Sequence, residues 1–390
     1  MKETMTSRQR VLTAINHKVP DRVPIDLGGF QSGIHRKAYE NLLRYLEIKD
    51  DNIKILDCVQ QLAVPCEELL QRFHVDIRYI WPHGPDSFDG SIKKNRRGGR
   101  LWHDFTDEFG VVWSMPDDGG LYMDISHHPL AEVTTEQLRQ RPFPNGADRS
   151  RFSGVREKAL AIRKKNYALS TTIGGSMYEY SWYQRGLEQW FMDMMEDPDF
   201  CETLLDKMLS FWKDYYAGYM AEVGDLVDVV QIGDDVAGQY GPMFSPDFYR
   251  AIVKPRLKKL ISHIKSLTSA KIWYHTCGGC VKLLPDLIEC GIDILNPIQV
   301  SASDMDPKIL KEKFGSKVVL WGGACDTQHF LPFATPAQVV EEVRKNIEIF
   351  KPGGGYVFNN VHNIQADVPV ENIVAMFDTA YKAGFYHPEK

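Results

Sequence analysis

The sequence predicts a (β/α)8 TIM barrel with a small antiparallel insertion, and three observations carry the prediction. Short β-branched apolar runs alternate with amphipathic helical stretches along the chain. The runs are almost continuously apolar, as strands covered on both faces must be. Polar and ligand-type side chains recur at the C-terminal ends of these runs, where a barrel of this kind assembles its chemistry. The candidate strands are 22–29 (RVPIDLGG), 75–81, 167–175, 226–234, 270–276, 292–299, 317–323 and 355–361. An open doubly wound sheet also fits such alternation. However, DLGGFQSG after the first run lacks the glycine spacing of a dinucleotide-binding turn, and no Walker A sequence occurs.

The best-marked helix begins after Thr335 in TPAQVVEEVRKNIEIFKPGGG. Thr335 suits the N-cap, Pro336 the first helical position, and Gln338 completes a capping box. Val339, Val340, Val343, Ile347 and Phe350 form one face, and the Pro-Gly cluster ends the helix. Residues 82–150 break the rhythm with aromatic and β-branched alternation punctuated by Gly and Pro. They read as an antiparallel insertion between the second and third predicted strands. We take them as a cap within one barrel domain spanning 1–390.

Composition narrows the function classes. With 43% apolar and 25% charged residues, the chain has the makings of a sizeable core. A net charge of −6 and a pI near 6.1 argue against nucleic acid as a partner. The basic run KKNRRGGR at 93–100 reads as a solvated loop. No apolar run approaches the ~20 residues of a membrane span. The first residues carry scattered charges and no apolar core of a secretory signal, so the expected compartment is the cytoplasm. Seven cysteines suggest reduced thiols, metal ligands or core filling rather than a disulfide framework.

The most informative stretch is KIWYHTCGGC, 271–280. Residues i and i+2 of a strand point the same way, so His275 and Cys277 share a face. An imidazole and a thiolate so placed are a workable pair of zinc ligands, and Gly278 and Gly279 would relieve crowding behind them. Cys325 and His362, at the ends of the last two predicted strands, are the candidates to complete the set. Cys280 could pair with Cys277 but reads better as the start of a helix. Cys58, Cys66, Cys201 and Cys290 sit in apolar helical contexts and are expected in the core. Asp234 and Asp235 end the fourth predicted strand, and Glu179 lies just beyond the third. They are candidates for acid–base or positioning work, although paired aspartates often merely cap a helix. Gln239, Tyr178, Trp182 and Asn296 are the candidate substrate-binding residues.

These blocks together resemble the uroporphyrinogen decarboxylase superfamily, and within it the branch of zinc-containing, cobalamin-dependent methyltransferases. The likeness rests on SRQRVLTAINHKVPDRVPID, GDDVAGQYGPMFSPDFYRAIVKP, HTCGGCVKLLPDLIECGIDILNPIQ, WGGACDTQ and DVPVENIVAMF, in that order. It covers most of the chain, with 82–150 the least matched part. The resemblance implies a (β/α)8 barrel. Porphyrinogen decarboxylases carry an arginine-rich stretch after the first strand to hold the substrate's carboxylates; here DLGGFQSGIHRK has no arginine before Arg36. The methyltransferase branch holds zinc with His-x-Cys, matched by His275 and Cys277, and a later cysteine before a P-x-E-N stretch. Here His362 stands at that place, ahead of DVPVEN, so either it replaces the cysteine or Cys325 does.

On this resemblance the expected activity is transfer of a methyl group from a small substrate, such as a methoxylated aromatic, to cobalamin on a separate corrinoid-binding protein. The chain has no Asp-x-His-x-x-Gly corrinoid motif of its own. A homodimer is the oligomeric form allowed for. The alternative expectation is a decarboxylase or lyase on the same barrel, acting on a small carboxylated substrate through the aspartates.

Overall fold

The computed structural model describes residues 2–386. Its centre is a curled seven-stranded parallel sheet made of Ile77–Ile80, Ala168–Thr171, Val229–Gly233, Lys271–His275, Ile294–Asn296, Val319–Trp321 and Tyr356–Val357. Neighbours in space are neighbours in this series, and helices cover the outside. All seven strands fall inside predicted runs. Their residues are buried on both faces almost throughout, which explains why the runs read as continuously apolar. Inside the curl, Ile77, Val229, Trp273, Val319 and Trp321 meet Val11 and Ile15 of the helix Ser7–Ile15. That helix starts on a capping box made by Thr6 and Gln9.

The predicted first strand, 22–29, differs. It makes isolated bridges instead of a continuous ladder, one of them a parallel bridge between Ile25 and Phe358. Pro24 has no N–H to donate, and the Ile25 N–H goes to the Asp76 carboxylate at 2.9 Å rather than to a strand partner. The segment still joins the two edges of the sheet. Asp76 N–H donates to the Ile25 carbonyl at 2.8 Å, and Asp26 N–H to that of Phe358 at 2.9 Å.

The capping box at Thr335 forms as predicted, and the helix runs Pro336–Phe350 with Val339, Val343, Ile347 and Phe350 buried. Within 82–150, the strands Lys93–Arg97, Arg100–Thr106, Val112–Pro116 and Asp124–His127 make a four-stranded antiparallel sheet in chain order. The basic run 93–100 is therefore a hairpin and not a loop. Arg97 pairs with Arg100 across Gly98 and Gly99, whose φ of 57° and 78° suit the two-residue turn of such a hairpin. Its first strand is wholly exposed, in keeping with its charge. A second small sheet, Ile34–His35, Leu62–Ala63 and Ile55–Asp57, was not legible in the sequence, since each piece is too short to show a period. All seven cysteines are free. Among the described residues no helix is long and apolar enough to cross a membrane.

Candidate metal centre

The strand Lys271–His275 pairs in parallel with Val229–Gly233, placing His275 beside Gly233. A Cβ on Gly233 would come within 2.8 Å of the His275 Cβ, so only glycine lets the strand pass there. Beyond the strand end, Cys277 Sγ lies 3.4 Å from His275 Nε2, as the shared face predicts. Gly278 turns the chain with φ +83°, and a Cβ on it would stand 2.4 Å from the Gly238 carbonyl. The short antiparallel hairpin of Ala237–Gly238 and Gly241–Pro242 thus enforces this glycine, a cause that the sequence could not reveal.

His362 completes a cluster. One ligand atom each from His275, Cys277 and His362 lie within 4.8 Å of one another, the one such group of His, Cys, Asp or Glu among the described residues. The His275 and His362 rings are 5.6 Å apart between centroids. Cys325 stands apart from the cluster. It is wholly buried in the hydrophobic core, and its thiol is pushed up by burial and then by the charge of Glu342, on the helix Pro336–Phe350.

The ring of His275 is held by its other nitrogen. Nδ1 lies 2.8 Å from Asn296 Oδ1, and Asn296 Nδ2 donates to the Trp321 carbonyl at 3.0 Å. A carbonyl can only accept, which fixes the orientation of the amide. His275 Nδ1 must then carry the proton, and Nε2 presents a lone pair toward Cys277 and His362. Burial pulls His275 down to about 4, and burial with the His275 charge does the same to His362. Both imidazoles are neutral at pH 7, the form that binds a cation. Asn296, expected to touch substrate, is instead the partner that orients His275. Replacing Asn296 by leucine should lower zinc affinity about 10–100-fold, while Asn296→Asp, which keeps the acceptor, should lose less. Competition with a chromophoric chelator measures this, and unchanged affinity in Asn296→Leu would show that Nδ1 is not held as described.

The donor set fits zinc. Bond lengths of about 2.0–2.1 Å to nitrogen and 2.3 Å to sulfur put tetrahedral N and S ligands roughly 3.6 Å apart, close to the observed His275–Cys277 separation. The Cys277 thiol is pushed well up by burial, and then by the charges of Asp235 and Glu179. Without a cation it stays protonated. A divalent ion would reverse that preference and release the proton.

The carboxylates divide by role. Asp234 is fully buried and accepts from Ser176 Oγ at 2.7 Å and from the backbone N–H of Met177, Tyr178 and Glu179 at 2.9–3.1 Å. It thereby caps the helix Tyr178–Arg185 from the adjacent strand end, where a negative charge suits the helix N-terminus. Burial raises it to about 6 against these hydrogen bonds, so it is largely ionised at pH 7. Asp235 is half-buried, accepts the Cys277 N–H at 2.8 Å, and lies 3.7 Å from His275 Nε2. Glu179 is pushed well up by burial and then by the charge of Asp235, while the Tyr183 hydroxyl donates to its carboxylate. Tyr183, one helical turn on from Glu179, packs on Trp113 of the antiparallel sheet at 5.0 Å between centroids. The i, i+4 spacing was the available signal for this partner, and the sequence reading missed it.

Tyr178 is wholly buried against Phe244 and Trp190, and Trp182 stacks edge-on to Tyr183. Neither lines the cavity of about 170 Å3 that opens beside Cys277 and His362, whereas Gln239 does. Sequence reasoning also missed Asp26, a fully buried carboxylate below the site that accepts from Tyr79 at 2.8 Å and from the Trp321 indole at 2.9 Å.

Comparison with known proteins agrees with this architecture. The family described as uroporphyrinogen decarboxylase (URO-D) matches residues 110–383. A uroporphyrinogen decarboxylase of Ruthia magnifica subsp. Calyptogena magnifica is 28% identical over 193 residues, 48% of this chain and 51% of that protein. The methylcobamide:CoM methyltransferase MtaA of Methanosarcina barkeri is 28% identical over 161 residues, 41% of this chain and 43% of that one. The chain thus spans about half the length of the curated relatives it matches. Among solved structures, a methyltransferase from Methanosarcina mazei superimposes with a TM-score of 0.61 at 18% identity, covering 97% of this chain and 99% of that one. At that identity the likeness speaks for the fold alone. With the family match extending over well more than half the residues, including His275, Cys277 and His362, the chain belongs to the uroporphyrinogen decarboxylase (URO-D) family.

Proposed function

We propose that this chain is a zinc-dependent methyltransferase that moves a methyl group from a small substrate to the corrinoid of a separate protein. It would work at the mouth of a closed (β/α)8 barrel roofed by residues 82–150. The observation that carries the reading is the cluster of His275, Cys277 and His362, with the His275 lone pair aimed into it. Zinc bound there would supply Lewis acidity, polarising a substrate oxygen or sulfur and easing loss of its methyl group. The protein's own groups have complementary parts. Asn296 keeps Nε2 of His275 free of a proton. Burial and then the charge of Asp235 push the Glu179 carboxyl well up, favouring its protonated form. Glu179 would then hold the proton that a departing alkoxide needs, with Tyr183 fixing its carboxyl. Asp234 is committed to its helix and takes no part in proton transfer.

A decarboxylase acting on a substrate with several carboxylates fits less well. No Lys or Arg lines the cavity beside Cys277, and Asp235 stands close by. The test uses free cobalamin, reduced to the cob(I) state, together with small methyl ethers. Methylcobalamin formation followed by absorbance should fall to background after chelation and return on adding zinc. Transfer indifferent to the chelator, or zinc-independent release of carbon dioxide from a carboxylated substrate, would overturn the reading.

A further inference from the structure

We propose that the substrate taken by this cavity is small and uncharged, with a hydrogen-bond acceptor at its non-reacting end received by Gln299 Nε2 and Thr327 Oγ1. The inference rests on the methyltransferase reading and names its substrate class.

Gln299 is 5% exposed and Thr327 2%, yet both line the cavity that Cys277 and His362 border. The orientation of Gln299 is set by the backbone, because the Gly278 N–H donates to its Oε1 at 2.6 Å. Its Nε2 therefore carries two N–H groups, and among the described residues neither these nor the Thr327 hydroxyl has a protein partner. Neither atom is sealed from solvent, so both face the open space of the cavity, where water or a ligand supplies the acceptor. Gln239 Nε2 donates to Gln328 Oε1 at 3.1 Å, joining two strand-end loops over the same space. This amide roof offers dipoles and no net charge.

Three further features narrow the class. The lining holds no Lys or Arg, so no side chain in it would neutralise an anionic headgroup. It holds no Phe, Tyr or Trp, and the aromatic residues Tyr178 and Trp182 lie outside it, which removes the expected platform for a methoxylated ring. The volume of about 170 Å3 is small beside the roughly 300 Å3 at which pockets for drug-sized ligands begin. A substrate of a few heavy atoms fits, such as a methyl ether or thioether carrying an amide or alcohol.

The experiment measures binding of 2-methoxyacetamide, methoxyacetate and methoxybenzene to the zinc-loaded chain by calorimetry, with zinc content determined on the same samples. The amide should bind at least about tenfold more tightly than either of the others. Gln299→Glu keeps the acceptor for Gly278 and exchanges the free donor for an oxygen. It should weaken amide binding about tenfold, as should the near-isosteric Thr327→Val. Zinc uptake with methoxybenzene or methoxyacetate preferred, or with amide binding indifferent to both substitutions, overturns this inference and leaves the methyltransferase reading standing. A chain that takes up no zinc overturns the reading and this inference with it.

Discussion

Cys277→Ser is expected to abolish zinc binding at the proposed centre, whereas Cys325→Ser is expected to leave it unchanged. Both are cysteines just past the C-terminal ends of strands of the same sheet, and the sequence offered both as ligands. Cys277 Sγ lies 3.4 Å from the nitrogen whose lone pair the Asn296 contact exposes. Cys325 is wholly buried in the apolar core and belongs to no ligand cluster. A serine hydroxyl is neutral at pH 7 and a poor substitute for thiolate. Loss of an outer partner to a zinc ligand already costs about 10–100-fold in affinity, so loss of the thiolate should exceed about 100-fold. His275→Ala and His362→Ala should fall with it. Elemental analysis after dialysis against a weak chelator decides the matter. Zinc retained in His362→Ala but lost in Cys325→Ser would reverse the assignment, and zinc retained in Cys277→Ser would abolish the centre as described.

The largest stability effect is expected at Asp76. Its carboxylate is fully buried and accepts from Arg10 Nη1 at 2.6 Å, from Arg22 at 2.7 and 3.1 Å, and from the Ile25 N–H at 2.9 Å. Arg10 and Arg22 are themselves 0% and 1% exposed. Asp76→Ala would leave two buried guanidinium groups without their shared partner, although Arg10 keeps Asp21 and both keep Glu3. Removing one member of such a network costs roughly 3–5 kcal/mol. The variant should unfold at a markedly lower urea midpoint, and Asp76→Asn should lie between it and the wild type. A loss below about 1 kcal/mol would mean that the residual partners compensate. The consequence reaches the site, because Asp76 ties down the segment Pro24–Asp26 that joins the sheet edges. Asp26 in turn holds the Trp321 indole, and the carbonyl of Trp321 holds Asn296 behind His275.

Whatever depends on short-range periodicity was readable in the residues alone. Continuous β-branched runs located the seven strands of the sheet, because burial on both faces leaves no polar position to interrupt them. The T-P-x-Q capping signal located the start of the helix Pro336–Phe350, because its hydrogen bonds close within one turn. The two-residue period of a strand was enough to put His275 and Cys277 on one side. The first strand was only half legible: Pro24 announces a broken ladder, but the Asp76 carboxylate that replaces its pairing lies 51 residues from Ile25.

The rest turns on contacts between groups distant in the chain, which the folded packing alone sets. His362 and Cys325 both follow strands, and nothing local says which side chain faces His275; the packing of two strand-end loops brings one in and leaves the other in the core. Asn296 read as a substrate contact, but the parallel register places it beside His275 and fixes its amide on Trp321. Asp234 and Asp235 are adjacent and chemically identical in the sequence. The alternation of the chain sends one to the N-terminus of the helix Tyr178–Arg185 and the other to the Cys277 N–H. Local pattern sets which residues are strand and which are helix; the curl of the sheet sets which strand-end side chains meet.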